Sequence, residues 1–492
     1  MIFIYLMGAL AAILIVKFCL YKRKIMKYVG HLPCLPEIPV VGSGLYFIGK
    51  NTTEIMDMLC MVPYIMDTPC RFWLGPCLSL FLARPEDVQT VLLSPKCLDK
   101  LFVYRFMDDI KGLLTAPLHL WKPQRKLLNP TFNNKIMLSF IPIFNEKSQI
   151  LVNVLGKKVG EKAFDISKHF LACTLEMVCT TTIGCDLEFQ NDKNVEILEI
   201  MENQSALVAN RMIKFWLYPQ FIYQLTDGYK KFRHNAECMY DMSRSIRKLK
   251  EKEFNEKKYF ENTEELKEDE FFSTPQIFVN ELFKLNKKNL IGEELLDDHI
   301  LTVLAAGNET SGAHNVTNVQ EKAFQEIKDA HESQTSESDA ETLAKLDYVE
   351  MCIKETLRLF PVGPFLGREN TEDIQLSNCI APKGTMLIMS CHYLHRNKDV
   401  WGQNADMFDP DNFLPEKVAS RHAYSFLPFS GGSRNCIGIK YAWISMKIMI
   451  SAVLRQYKFS THLRLEDIVT KFEVTLKVEN RQFVTVERRE KY

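Results

Sequence analysis

The run Phe429-Ser430-Gly431-Gly432-Ser433-Arg434-Asn435-Cys436-Ile437-Gly438 carries one thiol at the end of a glycine-rich loop. An apolar segment of helical period begins near Ile437 and continues to Gln456. Backbone N–H groups at a helix N-terminus favour negative charge, so Cys436 is placed to ionise and to serve as a strongly donating metal ligand. Gly431 and Gly432 let the backbone approach a flat group closely. A plain turn around a buried cysteine accounts for the two glycines, but not for Phe429, Arg434, Cys436 and Gly438 together. A nucleophilic cysteine would need a histidine partner, and no particular histidine is tied to Cys436 by the sequence.

Other side chains with chemical potential are spread along the chain. Trp121 and Arg125 in Trp121-Lys122-Pro123-Gln124-Arg125 stand at i and i+4, on one helical face. Arg125 offers a permanent charge in a fork suited to carboxylates. Glu309 and Thr310 put an acid and an alcohol late in the apolar segment that contains Ala306. A helical threonine commonly bonds back to a carbonyl four residues earlier; its alternative here is to relay protons. Glu355 and Arg358 sit at i and i+3, by themselves an ordinary intrahelical ion pair.

These three stretches, a fourth at Phe408 to Phe413 and the loop around Cys436 occur in the order found in one family. The loop is similar to the haem-ligand signature F-x-x-G-x-R-x-C-x-G of cytochromes P450. Trp121 to Arg125 resembles the helix whose Trp and Arg meet the haem propionates. Ala306-Gly307-Asn308-Glu309-Thr310-Ser311 resembles the distal helix that passes over the iron. Glu355-Thr356-Leu357-Arg358 resembles the E-x-x-R helix, and Phe408-Asp409-Pro410-Asp411-Asn412-Phe413 the segment before the ligand loop. The likeness runs from about residue 33 to the C-terminus.

The resemblance implies a haem-thiolate monooxygenase that inserts one oxygen atom of O2 into an apolar substrate such as a fatty acid, hormone or xenobiotic. Its nearest relatives would be insect-type microsomal members of the branch that resembles the fatty-acid ω-hydroxylases. Cys436 would ligate the iron, since a thiolate pushes electron density onto haem and favours O–O cleavage. Trp121, Arg125, Arg368 and Arg434 would hold the propionates, with Phe429, Gly438 and Ala306 also lining the cofactor. Thr310 and Glu309 would deliver protons. Ω-Hydroxylases often carry at the Ala306 position a Glu that esterifies the haem; alanine cannot, so haem b should be bound non-covalently. The E-x-x-R network often has Arg as its third member, and here that position is Asn412. Electrons would come from NADPH through a separate NADPH–cytochrome P450 reductase, because no G-x-G-x-x-G or P-loop segment is present. Cytochrome b5 would be an optional second partner.

The whole chain agrees with this reading. Its 492 residues balance 61 basic against 61 acidic side chains, with no basic excess to suggest nucleic acid. The 14 cysteines show no C-x-x-C spacing and read as reduced thiols of a cytosolic domain. Hydrophobic periodicity predicts a mostly α fold with a minor β region. Helices are expected at Glu86 to Leu93, Asn133 to Gly156, Phe170 to Ile183, Asn194 to Ala209, Tyr229 to Glu256, Gly292 to about Gly312, Ala344 to Phe360 and Ile437 to Gln456. Strand-like runs occur at Cys70 to Ala83, Met386 to Ser390 and Phe472 to Val478.

Ile2 to Leu20 is apolar apart from Lys17, and Tyr21-Lys22-Arg23-Lys24 follows it. Nineteen helical residues at about 1.5 Å each approach the thickness of a bilayer core. The expected order is therefore a transmembrane anchor at 1–21, a basic and proline-rich linker at 22–45, and a haem domain at 46–492. The basic flank orients that domain to the cytosolic face of the endoplasmic reticulum membrane.

One stretch departs from the family pattern. Only Gly312 to Val319 separates Ser311 from the helix resembling Gln320 to Glu326, short by roughly nine residues, or about 13 Å of helix. Either the end of the distal helix is lost, or the sequence carries a gene-model or splicing error. The rival functions are accordingly a catalytically impaired haem-binding isoform or pseudoenzyme, and a haem-thiolate isomerase or dehydratase. The Glu309-Thr310 pair argues against the second, which has no need to deliver protons to oxygen.

Overall fold

The computed structural model describes residues 1–38, 41–107, 111–256, 278–307, 317–332 and 339–490. Its longer helices are α1 Ile2–Val29, α2 Thr52–Ile65, α3 Pro85–Leu93, α4 Leu118–Leu128, α5 Ile141–Gly156, α6 Ser167–Val178 and α7 Val195–Ile213. They continue with α8 Asp227–Glu256, α9 Phe278–Lys287, α10 Glu293–Gly307, α11 Thr317–Glu332, α12 Asp347–Leu359 and α13 Ile439–Gln456. The strands are β1 Cys70–Leu74, β2 Cys77–Leu82, β3 Phe164–Asp165, β4 Phe365–Glu369, β5 Met386–Ser390, β6 Tyr457–Ser460, β7 Thr470–Glu473, β8 Thr475–Val478 and β9 Phe483–Arg488, with a further two-residue pair at Ile374–Gln375 and Ile380–Ala381. The mostly helical fold with a minor β region is as expected.

Local chemistry explains where several elements begin and end. Asn51 and Glu54 form a reciprocal capping box at the start of α2. The expected helix over Asn133 to Gly156 divides at Phe140 into Asn134–Ser139 and α5. Pro142 lies in the first turn of α5, where its missing N–H costs nothing, and it would have broken a continuous helix. The run Cys70 to Ala83 is a hairpin that turns through Gly75 at φ 58°. The strand-like run ending at Val478 is a second hairpin, turning at Val474 between β7 and β8.

Two packing arrangements position the site. The main sheet has the order β1-β2-β5-β4, with β2 and β5 parallel and β4 antiparallel on the edge. This register sets Arg368 opposite Leu387 and Gly367 opposite Ile388. A Cβ on Gly367 would come within 2.5 Å of Leu101, so glycine lets the Lys100–Leu101 segment lie directly on β4. In the second arrangement α13 packs against α5 and α11. The end of α10 reaches the same region: Val303, Leu304 and Ala305 share an apolar cluster with Ile437 and Tyr441. The expected distal helix is described as far as Gly307, and the shortened segment lies outside the described residues.

The first part of the expected linker at 22–45 continues the N-terminal helix. α1 runs unbroken through the basic residues to Val29, and its last turns are docked on the body. Phe18 and Tyr21 stand edge-on to Trp73, Lys22 pairs with Glu37 at 2.6 Å, and Ile25 and Val29 are buried. Burial of the apolar face of these turns keeps them helical where a free connector would be extended. Among the described residues no helix is long and apolar enough to cross a membrane. The side chains of nine residues of α1 between positions 2 and 14 lie outside that set.

Candidate functional site

The ligand loop closes on itself through its backbone. The Cys436 N–H donates to the Phe429 carbonyl at 3.0 Å, and the Asn435 N–H to the Gly432 carbonyl at 3.3 Å. Ser430 and Gly432 both adopt positive φ. At Gly432 no side chain would fit, because a Cβ would collide with the carbonyl oxygen of Leu92 at the end of α3. Phe429 fastens the start of the loop by an edge-on contact with Trp443 at 6.0 Å between ring centroids. Gly438 is the N-cap of α13, two residues after the thiol.

Cys436 is the one exposed cysteine of the body. Burial by the surrounding protein raises its thiol overall, against the sequence expectation, and the Gly438 backbone N–H, Arg125 and Lys100 offset only part of that rise. Arg125 is rooted in the same loop. Its Nη1 and Nη2 donate to the carbonyl and Oδ1 of Asn435 at 2.9 and 3.0 Å. Trp121, one turn earlier on α4, is buried with the Arg434 guanidinium 4.9 Å above its ring.

Four cations converge around this thiol, and this is the electrostatic core of the site. Arg434 is buried; its Nη1 donates to the Leu98 carbonyl at 2.7 Å, its Nη2 donates to the Ala116 carbonyl, and its Nε has no partner among the described residues. Burial, then the neighbouring Arg368, pushes Arg434 down to about 10. Arg368 is 1% exposed and donates to the Gly367 carbonyl at 2.8 Å and to Ser430 Oγ at 3.5 Å. Lys100 is held well below the usual lysine range by burial and by the like charges of Arg368 and Arg434. Among the described residues none of the four has a carboxylate within ion-pair distance. Asp99 is felt by Arg434, but its carboxylate accepts the Leu118 N–H at 2.9 Å. Buried cations are ordinarily paired. A group bearing two carboxylates beside an electron-accepting metal would supply what these four lack. The residues therefore fit a haem, with Cys436 toward the iron and Arg125, Arg368, Arg434 and Lys100 toward the propionates.

Trp121, Arg125, Arg368, Phe429, Arg434, Cys436 and Gly438 lie on or against the loop around Cys436. Ala306 is exposed in the last turn of α10. Glu309 and Thr310 lie outside the described residues. Lys100 was not foreseen; it is a single basic residue before Leu101, and only the packing of its segment on β4 draws it into the cluster. A cavity of about 120 Å3 adjoins this side, lined by Leu101, Tyr104, Phe365, Gly367, Ile388 and Phe472 among others. Its walls are apolar, and Leu101 and Gly367 are the chain neighbours of Lys100 and Arg368.

The model of the cytochrome P450 family matches residues 32–485. The chain belongs to the cytochrome P450 family. It is similar to cytochrome P450 4c21 of Blattella germanica, 30% identical over 92% of this chain and 91% of that protein. Cytochrome P450 4c3 of Drosophila melanogaster is 29% identical over 96% of this chain and 92% of its own length. Cytochrome P450 4V2 of Mus musculus is 27% identical over 92% and 88%. This P450 is thus a haem-thiolate oxidoreductase of the monooxygenase type, using non-covalently bound haem b and electrons from NAD(P)H through a reductase.

The E-x-x-R network of this P450 is fully buried. Glu355 and Arg358 are each 0% exposed and joined by two hydrogen bonds of 2.7 Å. Arg358 also donates to the carbonyls of His395, Ala405 and Met407. Glu355 accepts from the Asp409 N–H at 2.8 Å and from Asn412 Nδ2 at 3.2 Å. A positive charge stands close to the network nine residues after Asn412, at Arg421. Arg421 donates to the Asn412 carbonyl and stands 4.2 Å over the Trp401 ring, where it feels the Glu355 carboxylate.

Proposed function

We propose that this P450 is an NADPH- and O2-dependent monooxygenase of apolar substrates, of the fatty-acid, hormone or xenobiotic class. The observation that carries this reading is the apolar cavity beside the four-cation site, whose walls match a hydrocarbon chain or ring better than a polar metabolite. When bound, haem supplies the activation of O2. The chain's own residues hold it and set its surroundings. Cys436 is kept as the ligand by Arg125, Lys100 and the Gly438 N–H; Tyr104, Phe365 and Phe472 exclude water from the substrate's path. Glu309 and Thr310 are assigned the delivery of protons, because O–O cleavage consumes them. The expected result with NADPH, a purified P450 reductase and a panel of C10–C18 fatty acids and terpenoids is a product that retains one atom of 18O2. Absence of 18O-labelled product in the presence of a normal carbon-monoxide spectrum would defeat this reading.

Residues 1–21 serve as the anchor in the endoplasmic reticulum membrane, and 46–492 as the haem domain on its cytosolic face. The apolar run Ile2 to Leu20 with basic residues on its C-terminal side supports this order. NADPH–cytochrome P450 reductase, and cytochrome b5 as an optional donor, would meet the domain there. In microsomes the protein should resist extraction by alkaline carbonate, yet its haem domain should be digested by protease added outside. Protection of the haem domain in sealed vesicles would show the reverse orientation.

A further inference from the structure

A second apolar cavity among the described residues lies away from Cys436. Its volume is about 180 Å3, and it is bordered by α6, α11, α12, α13, β6 and β9. Val349, Leu357, Met449 and Val453 form a buried floor, whereas Thr461, Leu463 and Ile468 form a half-exposed rim. No residue of the ligand loop or of the four-cation cluster lines it. The nearest α13 residue on its wall, Met446, is ten positions after Cys436, about 15 Å along a helix. It is a separate space from the one beside the cations.

The lining is hydrocarbon except at a few points, and most of those are satisfied. Gln320 exchanges two hydrogen bonds with the Phe459 backbone, Thr356 donates to the Cys352 carbonyl, and Thr461 donates to the Phe483 carbonyl. Gln482 is different. Its backbone N–H donates to Asp165 Oδ1 and its carbonyl accepts the Ile166 N–H, and its side-chain Oε1 is buried with no hydrogen-bond partner among the described residues. A buried amide oxygen without a donor is costly. A dry apolar cavity of about 150 Å3 takes up benzene-sized molecules.

We propose that this cavity is a second binding site, for a compact apolar molecule carrying one hydroxyl, of alkylphenol or monoterpene-alcohol size, with Gln482 Oε1 accepting its hydroxyl hydrogen. The volume sets the size, the lining sets the apolar body, and the unpartnered oxygen sets the single donor. The site does not depend on the substrate assigned to the haem side.

The test is calorimetric titration of the holoprotein with toluene and with p-cresol, the haem side being kept saturated with phenylimidazole. Both probes should bind saturably without moving the Soret band, p-cresol about three- to tenfold more tightly through its one extra hydrogen bond. Gln482→Leu should erase that preference while leaving toluene binding intact. Ala323→Phe, which fills the cavity from α11, should abolish both titrations with the carbon-monoxide spectrum unchanged; Val319→Phe serves if the first variant does not fold. No saturable binding, binding that survives both filling variants, a Soret shift in step with the titration, or equal affinity for the two probes would each overturn the proposal.

Discussion

Cys436→Ser protein is expected to lose the thiolate-type carbon-monoxide difference spectrum completely, whereas loss of any other single cysteine leaves its type unchanged. A serine hydroxyl does not ionise under the influence of Arg125, Lys100 and one backbone N–H, so the iron would lose its donating ligand. Two cysteines lie close enough to Arg368 to be its rivals. Burial nevertheless pushes Cys97 and Cys391 up to about 12 each, so neither offers a thiolate at neutral pH. Cys97→Ala and Cys391→Ala are therefore the sharpest controls. A normal thiolate spectrum in Cys436→Ser protein, recorded after dithionite reduction, would remove Cys436 from the site.

Removing one half of the Glu355–Arg358 pair should be the most damaging change outside the loop. Arg358→Met leaves a carboxylate at 0% exposure with only the Asp409 N–H and the Asn412 amide, and strips three carbonyls of their donor. Breaking a buried pair in this way costs about 3 to 5 kcal/mol, against a total stability of about 5 to 15 kcal/mol. The expected result is a large loss of holoprotein yield and a lowered urea midpoint. Glu355→Leu combined with Arg358→Met should recover part of that loss, because no lone charge is then buried. A single variant as stable as the parent would mean that Arg421 takes over the carboxylate unaided.

How far the residues announced this architecture depended on the range of the interaction. The thiol loop, the Trp121–Arg125 face and the Glu355–Arg358 spacing are local patterns, and the structure assembles each as its spacing implied. Lys100 and Arg421 are not part of any local pattern. Each acquires its role from a neighbour far along the chain, Arg368 in one case and Glu355 in the other. Helix ends were missed even where a proline or a glycine punctuates them, as at Pro142 and Gly438, which the expected helices ran through. They were not legible at α1, whose final turns stay helical because Trp73 and Glu37 receive them. The short stretch after Ser311 and the pair Glu309–Thr310 lie outside the described residues. The apolar cavity is walled in part by the first turns of α11, the helix into which that stretch leads.

The last residues of the chain do more than trail from the sheet. Arg489 grips both oxygens of Glu321 on α11 at 2.9 and 3.2 Å, lies 3.8 Å over the Phe324 ring, and donates its backbone N–H to the Gln456 carbonyl. Arg489 is thus a fastener between α11 and the end of α13, two walls of the apolar cavity. A purification tag that replaced the final four residues, rather than following Tyr492 through a spacer, would undo that fastening. The form of the protein that is handled in the laboratory would then differ from the native one at the second site while its haem spectrum stayed the same.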